Sequence, residues 1–272
     1  MPIDPSAISL QGRVAVVTGG GAGIGRGIAA GLAAFGARVA VWERDETTCA
    51  AVAADIDGLG LVTDVRDATA VDAALARTVE QLGPVQILVN NAGGTFASSL
   101  LETSENGWDA LYRSNLRHVM LCTQRVARVM VAAGHGGSII NVTSIEGVRA
   151  APGYAAYAAA KAGVINYTQT AALELAEHGI RVNGLAPDFT VTEGLAQMSG
   201  PQALSRASRM VPLGRGGHVD EMAGAAVFLA SDLSSYVTGQ TIHVDGGTHA
   251  AGGWYRHPES GRFTLGPGNP TG

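Results

Sequence analysis

The chain is short of several residue types at once, and each shortage excludes a class of function. It has 2 cysteines, Cys49 and Cys122, far apart and outside any Cys-x-x-Cys or His-x-x-x-His spacing. Neither a disulfide framework nor a zinc centre is expected, and no other metal. Unpaired thiols suit a reducing compartment, so a cytoplasmic location is expected. Residues 1–12 hold no Lys or Arg, unlike a secretory leader, and no apolar run approaches the roughly 18 residues of a membrane span. Charge is also sparse, at 15% of residues and a formal net of −5. Without a basic stripe there is nothing to neutralise a phosphate backbone, so neither nucleic acid nor a membrane is an expected partner. Scarcest of all is lysine: of 18 basic residues, Lys161 alone is not arginine.

Glycine is abundant, with 38 in 272 residues, and 46% of the chain is apolar. That composition argues for a compact chain with many close backbone approaches rather than for disorder. The length suits one large α/β domain, and no linker divides it. Short β-branched runs fall at 14–17, 38–42, 60–63, 87–90, 138–142, 180–186 and 241–244. Helical patterns lie between them at 24–35, 68–82, 105–133, 155–178 and 220–230. Strands alternating with helices imply right-handed βαβ units and a parallel sheet covered on both faces. Runs such as Val-Ala-Val-Val at 14–17 do not alternate, as expected of strands buried on both sides. A core over about 12–247 is expected. Residues 248–272 show no helical or strand period and read as a tail, docked or disordered.

Directly after the first run comes Thr18-Gly-Gly-Gly-Ala-Gly-Ile-Gly25, opening the next helix. A glycine turn there exposes backbone N–H groups at the positive end of the helix dipole, which suits a pyrophosphate. Gly19, Gly21, Gly23, Ile24 and Gly25 are therefore candidate cofactor contacts. Glu43 ends the second strand, where a carboxylate can accept from ribose hydroxyls and repel a 2′-phosphate, favouring NAD over NADP. Arg44 follows and could face a 2′-phosphate instead, or the Glu-Arg-Asp stretch could be a solvated loop. Asp64 with Val65 closes the third strand, where a short acceptor could meet the adenine amino group. Asn90, Asn91, Ala92 and Gly93 close the fourth. All these polar groups fall at C-terminal strand ends, where open parallel sheets bind ligands.

Ser144 follows the fifth strand, and Tyr157-Ala-Ala-Ala-Lys161 lies in a helical stretch. The i, i+4 spacing sets phenol and ammonium on one helix face. A phenol is a poor base at neutral pH, but a fixed neighbouring cation favours its phenolate, which can exchange a proton with an alcohol or carbonyl. Blind placement of one lysine among the basic positions would rarely give this spacing. A demand for lysine in particular, whose compact ammonium can reach ribose hydroxyls and the phenol, explains it better.

Together Thr18–Gly25, Asn90–Gly93, Asn115, Ser144, Tyr157 and Lys161 resemble the short-chain dehydrogenase/reductase family, over about residues 12–247. The resemblance implies a doubly wound Rossmann fold with a seven-stranded parallel sheet in the order 3-2-1-4-5-6-7. It also implies a nicotinamide cofactor and a homotetramer. Its roles carry over as Tyr157 for acid/base, Lys161 for holding the nicotinamide ribose and lowering the Tyr157 pKa, Ser144 for the substrate oxygen, and Asn115 for a proton-relay water. The stretch 181–187 ending in Pro187 resembles the family's sixth strand, with Thr190 and Thr192 where threonines approach the carboxamide. One position departs: family members usually have Gly after that proline, and here it is Asp188, either a surface turn residue or a charge near the nicotinamide end.

Substrate-facing positions in the family correspond here to Gly94, Thr95 and Phe96, to Glu146, Arg149 and Tyr154, and to Asp188, Phe189, Leu195 and Met198. Glu146 raises the expectation of a hydroxyl-bearing or polar substrate; a solvated loop carboxylate explains it as well. Trp254 and Tyr255 could pack against a neighbouring subunit. The favoured activity is an NAD-dependent hydride transfer to or from a small-molecule secondary alcohol or carbonyl. A non-redox enzyme on the same fold, such as a lyase or epimerase, and a dinucleotide-sensing regulator are the alternatives.

Overall fold

A computed structural model describes residues 4–195, 207, 209–257 and 260–265. Seven parallel strands form the sheet: β1 (Val14–Thr18), β2 (Arg38–Glu43), β3 (Leu59–Val62), β4 (Ile87–Asn90), β5 (Gly137–Val142), β6 (Ile180–Pro187) and β7 (Thr241–Val244). Their order is β3-β2-β1-β4-β5-β6-β7, the doubly wound topology expected. Every residue of β1 and β4 is buried. Helices cover both faces, which is why these strands carry no polar alternation.

The helices are α1 (Gly23–Ala34), α2 (Glu46–Asp55), α3 (Ala68–Leu82), α4 (Glu105–Tyr112), α5 (His118–Ala133), α6 (Ala155–Leu175) and α7 (Val219–Ala230). On one face α1 and α7 join a core built on Val17, Val41, Val89 and Leu185. On the other, α3, α5 and α6 pack with Val16, Trp42, Leu88 and Ile139. The α1–α7 pair is unusually close because α1 presents glycine: a Cβ on Gly27 or Gly31 would come within 2.7 Å of Val219 Cβ or Ala223 Cβ. Asp45 and Asp67 cap α2 and α3 by accepting from Thr48 N and Thr69 N, and Gly134 closes α5 in the left-handed conformation.

Three expectations need correction. The pattern over 105–133 is not one helix: a π turn at Arg113–Arg117 separates α4 from α5. Helix α2 went unseen, because its Thr- and Ala-rich sequence has a weak apolar face, with only Cys49, Val52 and Ala53 buried. The tail also has structure where it is described. After a helical turn at Thr248–Ala251, β8 (Trp254–Arg256) pairs antiparallel with β9 (Phe263–Leu265). Arg256 docks this hairpin, its Nε donating to the Pro212 carbonyl at 3.2 Å and its guanidinium lying 5.0 Å from the Phe263 ring centre. Trp254 is 47% exposed. No helix among the described residues is long and apolar enough to cross a membrane.

Candidate active site

The glycine turn is shaped by what side chains would strike. Gly19 has φ +62°, and a Cβ there would come 2.8 Å from Ala92 Cα; a Cβ on Gly25 would overlap the Gly19 carbonyl and the Asn91 amide. Asn91 Nδ2 donates to the Thr18 and Gly19 carbonyls at 3.0 Å each, and Thr18 Oγ1 accepts from Asn91 N and Ala92 N. The ends of β1 and β4 are thus tied together. Ala22 caps α1 without a side-chain hydrogen bond, and the first turn holds no acidic residue. The helix end therefore keeps its N–H donors free of carboxylate competition, and an anionic pyrophosphate fits it.

Glu43 sits where β2 ends. Its carboxylate accepts from Gly21 N at 3.2 Å, Arg44 N at 2.8 Å and Asp45 N at 3.2 Å, which fixes it beside the turn. Asp64 is paired with Arg66 at 2.5 Å, and that guanidinium holds its carboxyl below the usual range. Val65 next to it is buried. Across the site, the segment after β6 folds back toward α1. The Thr192 methyl lies 3.4 Å from where a Gly23 Cβ would stand, and Glu193 pairs with Arg26 at 2.6 Å. Thr190 is buried against the chain, its Oγ1 donating to the Asp188 carbonyl. Pro187 ends β6. The strand ends thus bring together the candidate cofactor residues from Gly19, Gly21, Gly23, Ile24 and Gly25 through Asn91, Ala92 and Gly93 to Thr192. Met198 lies outside the described residues.

Ser144 and Tyr157 meet beyond β5. Ser144 caps a short 3₁₀ turn, its Oγ accepting from Glu146 N at 3.2 Å. Tyr157 lies in the first turn of α6, and its phenol is near enough to Ser144 for that hydroxyl to favour the phenolate. Burial pushes the phenol pKa up, the Ser144 hydroxyl opposes this, and the nearby Glu146 charge adds to the rise. The expected lowering by Lys161 therefore does not set the balance within the protein alone. One turn further, Lys161 is 4% exposed. Its ammonium lies 5.7 Å from the Tyr157 ring centre and donates to the Val142 carbonyl at 2.9 Å. Burial lowers its pKa to about 8.

Asn115 stands in the π turn, fully buried. Its Nδ2 donates to the carbonyls of Gly94 at 2.8 Å and Leu111 at 3.0 Å, and its Oδ1 accepts from Gly94 N at 3.3 Å. It holds the loop after β4 in place. Asn90 faces inward instead: its Nδ2 donates to Asn141 Oδ1 at 2.8 Å and Thr123 Oγ1 at 3.0 Å, and Asn141 continues to Thr168.

The sequence pattern missed His118, which is fully buried at the start of α5. Burial first, and the Lys161 charge second, lower its pKa to about 3, so it is neutral. A lone histidine in an apolar helical run carries no signal that would have found it. Nor did the pattern join Arg149 to both Glu146 and Asp188, at 2.7 and 3.4 Å.

A glycine turn opening α1, acceptors at successive strand ends and a Ser–Tyr–Lys set beyond β5 define a dinucleotide-binding enzyme of the doubly wound class. A family model described as enoyl-(acyl carrier protein) reductase matches residues 19–249. The chain is 39% identical over 246 residues to a 3-oxoacyl-[acyl-carrier-protein] reductase of Synechocystis, covering 88% of this chain and 98% of that one. It is also 39% identical over 249 residues to a gluconate 5-dehydrogenase of Gluconobacter oxydans, covering 89% and 97%. Among solved structures, a gluconate 5-dehydrogenase from Burkholderia cenocepacia, in complex with NADP and tartrate, superimposes with a TM-score of 0.84 at 39% identity, over 90% of this chain and 98% of that one. The chain belongs to the short-chain dehydrogenase/reductase family and is an NAD(P)-dependent oxidoreductase.

Proposed function

We propose that the protein transfers a hydride between NAD and a secondary alcohol or its ketone, with Tyr157 as the acid/base. The observation that carries this is the burial of the chain's sole lysine one helical turn from a phenol that stands near the buried Ser144. Nicotinamide, when bound, supplies the hydride acceptor at its C4. In the oxidative direction Tyr157 Oη takes the carbinol proton, while Ser144 Oγ holds the same substrate oxygen in a preorganised polar site. Lys161 supplies the positive charge that a buried phenolate needs and can reach the nicotinamide ribose, and Asn115 supports a relay water. Gluconate and 3-oxoacyl groups, named for two relatives, both carry the alcohol or ketone this chemistry requires.

The NAD preference rests on Glu43, whose anchored carboxylate would meet a 2′-phosphate with like charge. The Burkholderia neighbour was solved with NADP, and kinetics with both cofactors test the preference. The ratio of kcat/KM for NAD over NADP should exceed one and fall at least about tenfold in Glu43→Ala, where Arg44 is left to face the phosphate. An unchanged ratio removes Glu43 from cofactor selection.

We further propose one domain over the whole chain, a homotetramer, and a cytoplasmic location suited to the two buried free thiols. A groove of about 750 Å³ between α5 and α6, lined by Met120, Leu121, Ala127, Val131, Tyr167 and Ala171, offers a face for a second copy. Light scattering on the purified protein tests the assembly.

Hydride transfer is tested by NADH absorbance over a panel of secondary alcohols. Tyr157→Phe should lower turnover by roughly 10³-fold or more with NAD affinity nearly unchanged. Substantial residual turnover would refute the role given to Tyr157.

A further inference from the structure

Three charged side chains interlock on the substrate side of Ser144 and Tyr157. Arg149 Nη2 donates to Glu146 Oε1 at 2.7 Å and to Asp188 Oδ1 at 3.4 Å, and its Nε reaches Glu146 Oε2 at 3.3 Å. Their side chains are 35%, 25% and 14% exposed for Arg149, Glu146 and Asp188. Glu146 stands two residues past Ser144 and close enough to act on the Tyr157 phenol. Asp188 directly follows Pro187 at the end of β6. The cluster therefore lies beside the place where the reacting carbinol must sit.

Two carboxylates against one guanidinium leave the cluster with a formal charge of minus one. Asp245 adds another negative charge nearby; its carboxylate accepts from Gly247 N and His249 N, and its field reaches both Asp188 and Arg149. An acidic substrate group would have to displace a half-buried carboxylate from Arg149 or lie beside it, and like charge opposes both. Hydroxyl groups meet no such barrier. Each carboxylate oxygen has two acceptor sites, and Arg149 uses only part of that capacity, so the cluster offers open acceptors to hydroxyl donors.

We propose that Glu146, Arg149 and Asp188 form the specificity element of the site and select an uncharged polyol or sugar, with further hydroxyls beside the reacting carbinol, over the corresponding acid. The inference rests on the secondary-alcohol reading of the same site.

The test compares uncharged pentitols and hexitols with the aldonates of matching chain length. Two readouts are taken on the full-length protein: kcat/KM with NAD, and Kd by calorimetry with NADH present. The best polyol should exceed the matched aldonate by at least about tenfold in both. Asp188→Asn, with Glu146→Gln as a second isosteric variant, should shrink that gap several-fold while thermal melting confirms the fold.

An aldonate that binds or reacts better than every polyol overturns the proposal. So does a preference unmoved by either variant, or the absence of binding by any polyol. If polyols bind with the expected charge preference but no NADH forms, the hydride-transfer reading fails and the specificity assignment stands.

Discussion

Around the glycine turn the protein offers a ligand mainly backbone: free N–H groups at the start of α1, kept open by residues without side chains and fixed by Asn91. Around Tyr157 it offers side chains whose protonation burial shifts, Tyr157 upward and Lys161 and His118 downward. The first region tolerates few added atoms, and apart from the Glu43 carboxylate beside it its electrostatics come from peptide dipoles that cannot titrate. The second has room for substitution, but each change alters a charge. Steric variants should therefore break the first region, and charge variants should retune the second.

Among variants that test this contrast, the largest effect on nucleotide affinity is expected from Gly25→Ala. One methyl there meets the Gly19 backbone carbonyl, which cannot swing aside, and the Asn91 side-chain amide that clamps the turn. We expect NAD affinity to fall roughly 100-fold and stability to drop by about 1–3 kcal/mol, the range for overpacking; titration calorimetry and thermal melting check both. Normal nucleotide affinity would show that the turn has slack.

Lys161→Met should leave nucleotide affinity less affected and change stability in the opposite direction. The folded pKa of about 8 lies below the ordinary 10.5 of lysine. Between those values the unfolded chain binds more protons than the folded one, so stability rises with pH across that window. Below pH 8 the full penalty of burying an ammonium is present. The variant should therefore lose turnover yet be more stable than the parent near pH 7, by about 1–3 kcal/mol, with the gap closing as pH approaches 10.5. Denaturant melts at several pH values measure it; a destabilised variant at pH 7 would mean that the bond to Val142 outweighs the desolvation.

Smallest is the expected change in Arg149→Ala. Arg149 offsets the Glu146 charge, which already pushes Tyr157 upward. Removing it should raise the Tyr157 pKa further. Alcohol oxidation needs the deprotonated phenol, so the rising limb of the pH profile should move to higher pH by up to about one unit. A profile that stays in place would separate Glu146 from the phenol.

The same contrast explains what could be read from the chain. Strands β4 and β7 fall on the expected residues, and the glycine turn was plain in the spacing from Gly19 to Gly25, because backbone requirements leave local marks. Tyr157 and Lys161 were legible through the i, i+4 spacing and the scarcity of lysine. The π turn was not: Arg113–Arg117 contains neither glycine nor proline to interrupt the helical reading, and a shift of hydrogen-bond register leaves no local mark of its own. Yet this turn carries Asn115. The Arg149–Asp188 contact joins residues 39 apart in sequence, on segments that only the sheet brings together. The β8–β9 hairpin escaped notice because its strands are three residues each, too short for a period to show.

The clamp of Asn91 on the Thr18 and Gly19 carbonyls also bears on how the molecule assembles. It links positions 72 and 73 apart in sequence, and two whole βα units must be looped out before it can close. Local helices form in microseconds, whereas such distant closures come late. The glycine turn can therefore take its binding shape only after β4 has docked against β1. During refolding, helical signal should return first and nucleotide binding last, so an unfinished molecule would hold no cofactor.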